Sequence, residues 1–361
     1  MGGFQLVLLT IAGDFTLNAA MMGVLVSAQY IAITLSPLAF GWIADRIGKK
    51  PILLIFMPVF ILGCLAAGSS GGTVLFIAGV FIAGIGYSVC ECIGSSAVSD
   101  SFPGKESRYL NIMQCFFSLG AVISPLFFKW LLSTGIFSWR IVFFVSGCGY
   151  VLLYPFLIVS RCSKPEPVRT AETQSLTMKK LFHSSFFITM MFSMLAYVAI
   201  ETGTAYFADS LFVMEYDNKL FGAYAISAFW FAMTISRFAF AWIKLKKRTM
   251  ILMGFSLSFL FLVLLILTKD QRLLLGLFAL IGAAAGPVWP MIVGMGTMAY
   301  QEKSGTVASL LTASGGLGGA LIPVLIGAVT ENWGVNAGFC LLIAASALGF
   351  FVMKKGGIQK S

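Results

Sequence analysis

The sequence predicts an all-α protein that crosses a membrane many times, and three observations carry that prediction. Of its 361 residues, 59% are hydrophobic and only 11% are charged, against about 25% charged in soluble domains. Apolar runs of roughly 18 residues or more recur along the whole chain, each long enough for a helix to cross a bilayer. Lys and Arg gather in alternate gaps between these runs, as a chain with a fixed orientation across a membrane requires.

Residues 1–12 are apolar, but as a helix they rise only ~18 Å, short of a ~30 Å hydrocarbon core. They read either as the remainder of a first helix truncated at its start or as a short interfacial segment. Asp14 to Asn18 reads as an external loop. Spans follow at 19–42, 50–68, 73–98, 109–132, 139–160, 184–207, 220–243, 249–268, 272–298, 305–330 and 334–353, giving eleven full helices and one partial. The interval 161–182 holds Pro165, Pro167 and five Lys or Arg, and it reads as a flexible cytoplasmic linker. The expected organisation is an N-terminal six-helix bundle at 1–160, the linker at 161–182, a C-terminal six-helix bundle at 183–353 and a basic cytoplasmic tail at 354–361. With that orientation 18 of the 24 Lys and Arg fall on the cytoplasmic side. The location expected is the cell membrane, with the linker and C-terminus inside. Leu119-Gly120 with Pro125 recurs as Leu317-Gly318 with Pro323, and Phe40-Gly41-Trp42-Ile43 as Phe240-Ala241-Trp242-Ile243. The offsets of 198 and 200 residues are nearly equal and suggest two pseudo-symmetric, duplicated halves.

The net charge of +10 follows from where the basic residues sit and calls for no nucleic acid. The seven Cys are scattered, without metal-ligand spacing or a disulfide framework. Gly68 to Gly72 fits the G-x-S-x-G pattern of serine hydrolases, yet it lies in an external loop. The one histidine, His183, falls at the opposite membrane face, so no triad can form. There is no H-E-x-x-H and no phosphate-binding loop. No enzyme is expected, and no metal or organic cofactor. The expected partners are a small-molecule solute and the lipid bilayer, with the chain acting as a monomer.

The most informative stretch is Gly41-Trp42-Ile43-Ala44-Asp45-Arg46-Ile47-Gly48-Lys49-Lys50. A link this short between two apolar runs makes its helices antiparallel neighbours. Asp45 and Arg46 stand where a helix leaves the bilayer, and Lys49 and Lys50 mark the cytoplasmic side. The pattern G-x-x-x-D-R-x-G-K-K resembles the signature loop of the major facilitator superfamily, which joins that family's second and third helices. The resemblance implies a secondary transporter built of two six-helix bundles that rock around a midplane cavity. It also implies a conformational gate made of Gly41, Asp45, Arg46, Gly48, Lys49 and Arg108. Asp45 would sit near the N-terminus of the helix that begins near Gly305.

Three ionisable residues lie well inside spans, Glu91, Glu201 and Arg237, and such groups usually face a bundle interior or a water path. Around them stand Leu110-Asn111 with Gln114, Phe116 and Gly120, then Tyr197 with Glu201, then Phe229-Trp230 with Ser236-Arg237. These positions resemble the fucose and glucose/galactose proton-symporter branch of the superfamily. The branch differs at Ser95, where it often has Asn, at Ala199 and Ile200, and at Tyr206, near where it often has Trp. The resemblance implies proton symport of a small polar solute such as a monosaccharide, with the proton as coupling ion. Glu91 and Glu201 suit proton carriers, or structural carboxyls hydrogen-bonded to neighbouring helices. Asn111 and Gln114 lie one turn apart and suit a hydroxylated substrate or helix–helix hydrogen bonds. Tyr197, Tyr206, Trp230 and Trp289 are candidates to line the cavity or simply to pack. Arg237, two turns from the lysines at 244–247, reads as a structural charge that snorkels to the interface. Pro287 and Pro290 predict a kink or break in the span 272–298. The alternative is a proton-driven exporter of drugs or metabolites. Such exporters often carry a Gly-Pro-rich motif where this chain has Gly120-Ala121-Val122-Ile123-Ser124-Pro125.

Overall fold

An apolar run continues as helix until a residue with no place in a helix stops it. Gly48, at φ 97°, takes a backbone that suits glycine alone. It ends α1 (Ala19–Ile47) and lets α2 (Lys49–Gly68) begin on the next residue. The helices α3 (Thr73–Ser101), α4 (Glu106–Ser133), α5 (Ile141–Val159), α6 (Met178–His183), α7 (Ser185–Tyr216), α8 (Lys219–Phe240), α9 (Lys247–Leu267), α10 (Gln271–Ala285), α11 (Val288–Ala299), α12 (Ser304–Trp333) and α13 (Val335–Lys355) follow. This computed structural model describes residues 4, 7, 10, 11, 13–16, 19–160 and 178–356. Most of the first twelve residues, the linker up to residue 177 and the tail beyond 356 lie outside the described residues.

Polar side chains mark several starts. Ser184 accepts from the Phe187 N–H, Asn218 from Phe221, and Asp270 from Arg272 and Leu273, each supplying a partner that the first turn lacks. Ten helical stretches are long and apolar enough to cross a membrane, and there is no strand among the described residues. These ten correspond to the ten spans read from 50–68 onward. The largest difference is α7, which runs to Tyr216 rather than 207. Asp209 and Glu215 do not stop it, because a charge outside the hydrocarbon costs a helix little. It ends at Asp217, in the left-handed region at φ 50°.

The chain divides into two compact units. The first comprises Met1–Ala97, Gly120–Lys164 and Gly305–Ala313. One of its cores gathers Phe4, Val7 and Ile11, at helical spacing, around Phe76, Trp139 and Phe143. Phe76 and Trp139 meet edge to face with centroids 5.4 Å apart, a geometry worth about 0.5–1.5 kcal/mol beyond area burial. The Trp139 indole N–H is satisfied by Asp14 Oδ2 at 2.6 Å. A second core of this unit joins Ala44, Ile52, Phe56, Val89 and Ile93.

The second unit comprises Val98–Leu119, Pro165–Ser304 and Ser314–Ser361. Phe278 anchors its core between Phe212 and Phe339, with centroids at 6.0 and 6.2 Å. The spacing of Gly282 and Gly286 serves close packing, as small residues on membrane helices do. A side chain at Gly282 would run into the Phe229 carbonyl of α8.

Candidate functional site

Proline has no N–H, so inside a helix it leaves the carbonyl four residues earlier without its donor. Pro287 orphans the Ala283 carbonyl in this way, and Pro290 that of Gly286. The helix breaks here: α10 ends at Ala285 and α11 starts at Val288. Both orphaned carbonyls find donors on α8, at adjacent residues. Ser236 Oγ donates to the Ala283 carbonyl at 2.6 Å, and Arg237 Nε to that of Gly286 at 3.0 Å. The break is thus held by two side chains of a neighbouring helix.

Arg237 has further donors, and all are drawn inward. Nη1 donates to the Gln114 carbonyl of α4 at 3.0 Å. Nη2 donates to Tyr197 Oη at 2.9 Å and meets Glu201 Oε1 at 3.3 Å. Tyr197 and Glu201 stand one turn apart on α7, and Tyr197 Oη donates to Glu201 Oε1 at 2.8 Å. Arg237 is 1% exposed and the Glu201 side chain 13%. The expected snorkelling of Arg237 is therefore not what the structure has. The guanidinium turns away from the interface, because four inward acceptors, one of them charged, match its fork of donors. The cluster joins α4, α7, α8 and the α10–α11 break, and all its members belong to the second unit.

The other candidates are placed as follows. Asn111 is fully buried; its amide nitrogen donates to the Ser107 carbonyl of its own helix, and its Oδ1 has no hydrogen-bond partner among the described residues. Gln114 is buried, and its carbonyl also accepts from Ser118 Oγ. Trp230 lies edge-on to Phe117 and Phe229, with centroids at 6.1 and 5.4 Å. Trp289 is buried at the start of α11, and Tyr206 is exposed. Glu91 is half-buried on α3, in the first unit.

The charged hairpin forms a second constellation, inside the first unit. The first N–H groups of a helix have no partner within it, and its N-terminus carries partial positive charge. At the start of α12 the Gly305 and Thr306 N–H groups donate to the two oxygens of Asp45, both at 2.8 Å, and Thr306 Oγ1 adds a third bond at 2.6 Å. Asp45 thus caps a helix 260 residues away. It stands three residues beyond the span read at 19–42. Burial raises the affinity of its carboxyl for protons above the ordinary carboxylate value, against the pull of the Thr306 and Gly305 hydrogen bonds and of Lys49. The lysines take the opposite helix ends. Lys49 Nζ donates to the Ser96 carbonyl near the end of α3 at 3.3 Å. Lys50 Nζ donates to the Ile158 and Ser160 carbonyls at the end of α5, at 2.6 and 2.7 Å. Asp45 and the two lysines therefore each meet a helix end of opposite sign. Arg46 lies 4.7 Å over the Trp42 ring, and Arg108, in the second unit, 5.1 Å over Trp242.

Gly41 sets the closeness of α1 and α12, since a Cβ there would collide with Ser309 and stand 2.9 Å from the Gly305 carbonyl. Gly41→Leu is expected to prise Asp45 off Gly305 and to cost about 1–3 kcal/mol, as overpacking does. Thermal unfolding in detergent measures it; an unchanged melting temperature would mean that the two helices have slack. Nothing in the sequence pointed to Thr306 or to the Glu106–Lys247 ion pair at 3.4 Å, and Ser236 stood out only as the neighbour of Arg237. Among the described residues no group of three His, Cys, Asp or Glu could hold a metal ion.

A sequence model of the Major Facilitator Superfamily matches residues 1–267 and 213–355. The glucose/mannose transporter GlcP of Bacillus subtilis is 24% identical over 276 residues, covering 73% of this chain and 66% of that protein. Multidrug resistance protein D of Escherichia coli is 26% identical over 182 residues, 49% of this chain and 44% of that one. The chain spans between 26% and 66% of the length of such curated relatives. Among solved structures, the E. coli fucose:proton symporter FucP aligns with a TM-score of 0.82 at 15% identity, over 98% of this chain and 94% of that one. That likeness is one of fold.

Proposed function

The chain belongs to the Major Facilitator Superfamily, and on that premise we propose that this multi-pass transporter moves a small, neutral, hydroxylated solute of the monosaccharide class by proton symport. The observation that carries the reading is the buried Tyr197–Glu201–Arg237 cluster and its grip on Gln114 and on the α10–α11 break. Ionised, Glu201 balances the guanidinium. A proton on its carboxyl removes that balance, so Arg237 loosens from α7 and its hold on α4 and on the break shifts. A proton at one carboxyl is thereby converted into movement of three neighbouring helices. Glu91 is the second coupling carboxyl. Gln114 on α4 and Trp230, two turns before Arg237 on α8, are the proposed solute contacts. The similarity to a glucose/mannose transporter and the fold of a fucose:proton symporter support the solute class.

The Asp45 hairpin is the proposed gate. It binds the end of α1 to the start of α12, one from each half of the chain as divided at the linker 161–182. The proposed orientation puts hairpin, linker and C-terminus in the cytoplasm.

Proteoliposomes under an inward proton gradient test the reading, with labelled glucose, mannose and fucose as solutes. Glu91→Gln is expected to abolish uphill uptake while sparing solute counterflow, because exchange needs no net proton movement. Glu201→Gln is expected to lose uphill uptake as well. Wild-type uphill uptake by both variants would remove proton coupling through these carboxyls. The similarity to multidrug resistance protein D favours a second reading, a proton-driven exporter. Solute extrusion from inverted vesicles, without uptake of any of the three sugars, would select it.

A further inference from the structure

A groove of about 580 Å³ runs along the outside of the second unit between α7 and α13. Its lining changes character from one end to the other. At one end stand His183, the last residue of α6, with Ser185 and Lys355, all exposed. One to two turns further along the two helices the walls are Ile188, Phe192, Phe351 and Val352. Ile188, Phe192 and Phe351 are exposed, which on a membrane-spanning helix means facing hydrocarbon. A free sugar or a soluble anion would leave that apolar end unused, and an uncharged hydrocarbon would leave the basic end unused.

Two sets of bonds help to hold the groove in shape. Arg248 of α9 donates to the Met353, Lys354 and Gly356 carbonyls at 3.0, 2.8 and 3.3 Å, which pins the end of α13. Thr189 Oγ1 is tied to the Ser185 carbonyl at 2.8 Å. A side chain at Gly356 would strike Thr189, so the glycine lets the end of α13 lie close against α7.

We infer that this groove binds one anionic phospholipid of the surrounding leaflet, with its phosphate at His183 and Lys355 and an acyl chain along Ile188, Phe192 and Phe351. The order of the lining matches the order of the lipid, charge at the water interface and hydrocarbon below it. Basic pockets between membrane helices recognise anionic head groups in this way.

The test is native mass spectrometry of the full chain in detergent, titrated with phosphatidylglycerol or phosphatidylcholine. Phosphatidylglycerol is expected to give discrete adducts and phosphatidylcholine weaker ones. Lys355→Gln is expected to weaken the first phosphatidylglycerol adduct by about fivefold, the effect of one basic side chain at an anionic surface, and His183→Gln to weaken it by less, through loss of a hydrogen-bond donor. Phe192→Ser is expected to weaken both lipids alike, and Lys244→Gln, on the exposed loop before α9, neither. Circular dichroism melting of each variant confirms that it is folded. Equal retention of the two lipids, or adducts indifferent to Lys355 and His183, would overturn the assignment. So would displacement of the lipid by millimolar inorganic phosphate, which would make the groove a site for free phosphate.

Discussion

Arg237→Met is expected to destabilise the protein by about 3–5 kcal/mol, the cost of leaving one member of a buried ion pair without the other. Glu201 would remain as a charge that is only 13% exposed. The Gly286 carbonyl would lose its side-chain donor at the same time, and the Gln114 carbonyl one of its donors. Arg237→Lys is expected to recover little, because an ammonium cannot reproduce a planar fork aimed at four acceptors. Combining Glu201→Gln with Arg237→Met removes both charges. The double variant is expected to be more stable than Arg237→Met alone, with a coupling of about 1–3 kcal/mol between the two positions. Thermal or denaturant unfolding in detergent gives all three values. Simple addition of the two single effects would mean that the pair is not coupled in the folded protein.

Asp45→Asn is expected to weaken the contact between α1 and α12 by about 1–2 kcal/mol, combining the loss of one accepting oxygen with the loss of a charge at a helix N-terminus. A change of that size shifts a two-state balance by roughly 5–30-fold. Transport should slow while the choice of solute stays the same. Thr306→Val removes only the hydroxyl bond and should show a smaller effect in the same direction. In a cysteine-free background, Ser118→Cys on α4 should react faster with a cytoplasmic-side thiol reagent once Asp45 is replaced. Unchanged reactivity together with an altered solute preference would instead place Asp45 in recognition.

The helices were legible because hydrocarbon thickness leaves little freedom: a span must be apolar and about 20 residues long. The end of α7 was not, because the sequence marks where hydrocarbon stops rather than where a helix stops. Tyr197 and Glu201 could be paired in advance, since four residues make one turn. The break at Pro287 could be foreseen from the missing N–H alone. Arg237 was misread for a specific reason. The sequence gives its height along α8, close to the lysines of the following loop, but not the direction in which it faces. That direction is set by acceptors on α4, on α7 and at the α10–α11 break, none of them a sequence neighbour. The same holds for Thr306, whose partner lies 261 residues away.

The two prolines of the α10–α11 break and the two donors on α8 leave a mark on how this sequence can drift. An alanine at position 290 would restore an amide to the Gly286 carbonyl and make Arg237 Nε redundant there. An alanine at 287 would do the same to Ser236 at the Ala283 carbonyl. Conversely, losing either donor while its proline stays would strand a carbonyl at membrane depth, where no water can replace the bond. The proline is therefore the member that can be lost first. Descendant sequences should hold a proline without its α8 donor far less often than the donor without its proline, so that covariation between 236 and 287, and between 237 and 290, runs in one direction.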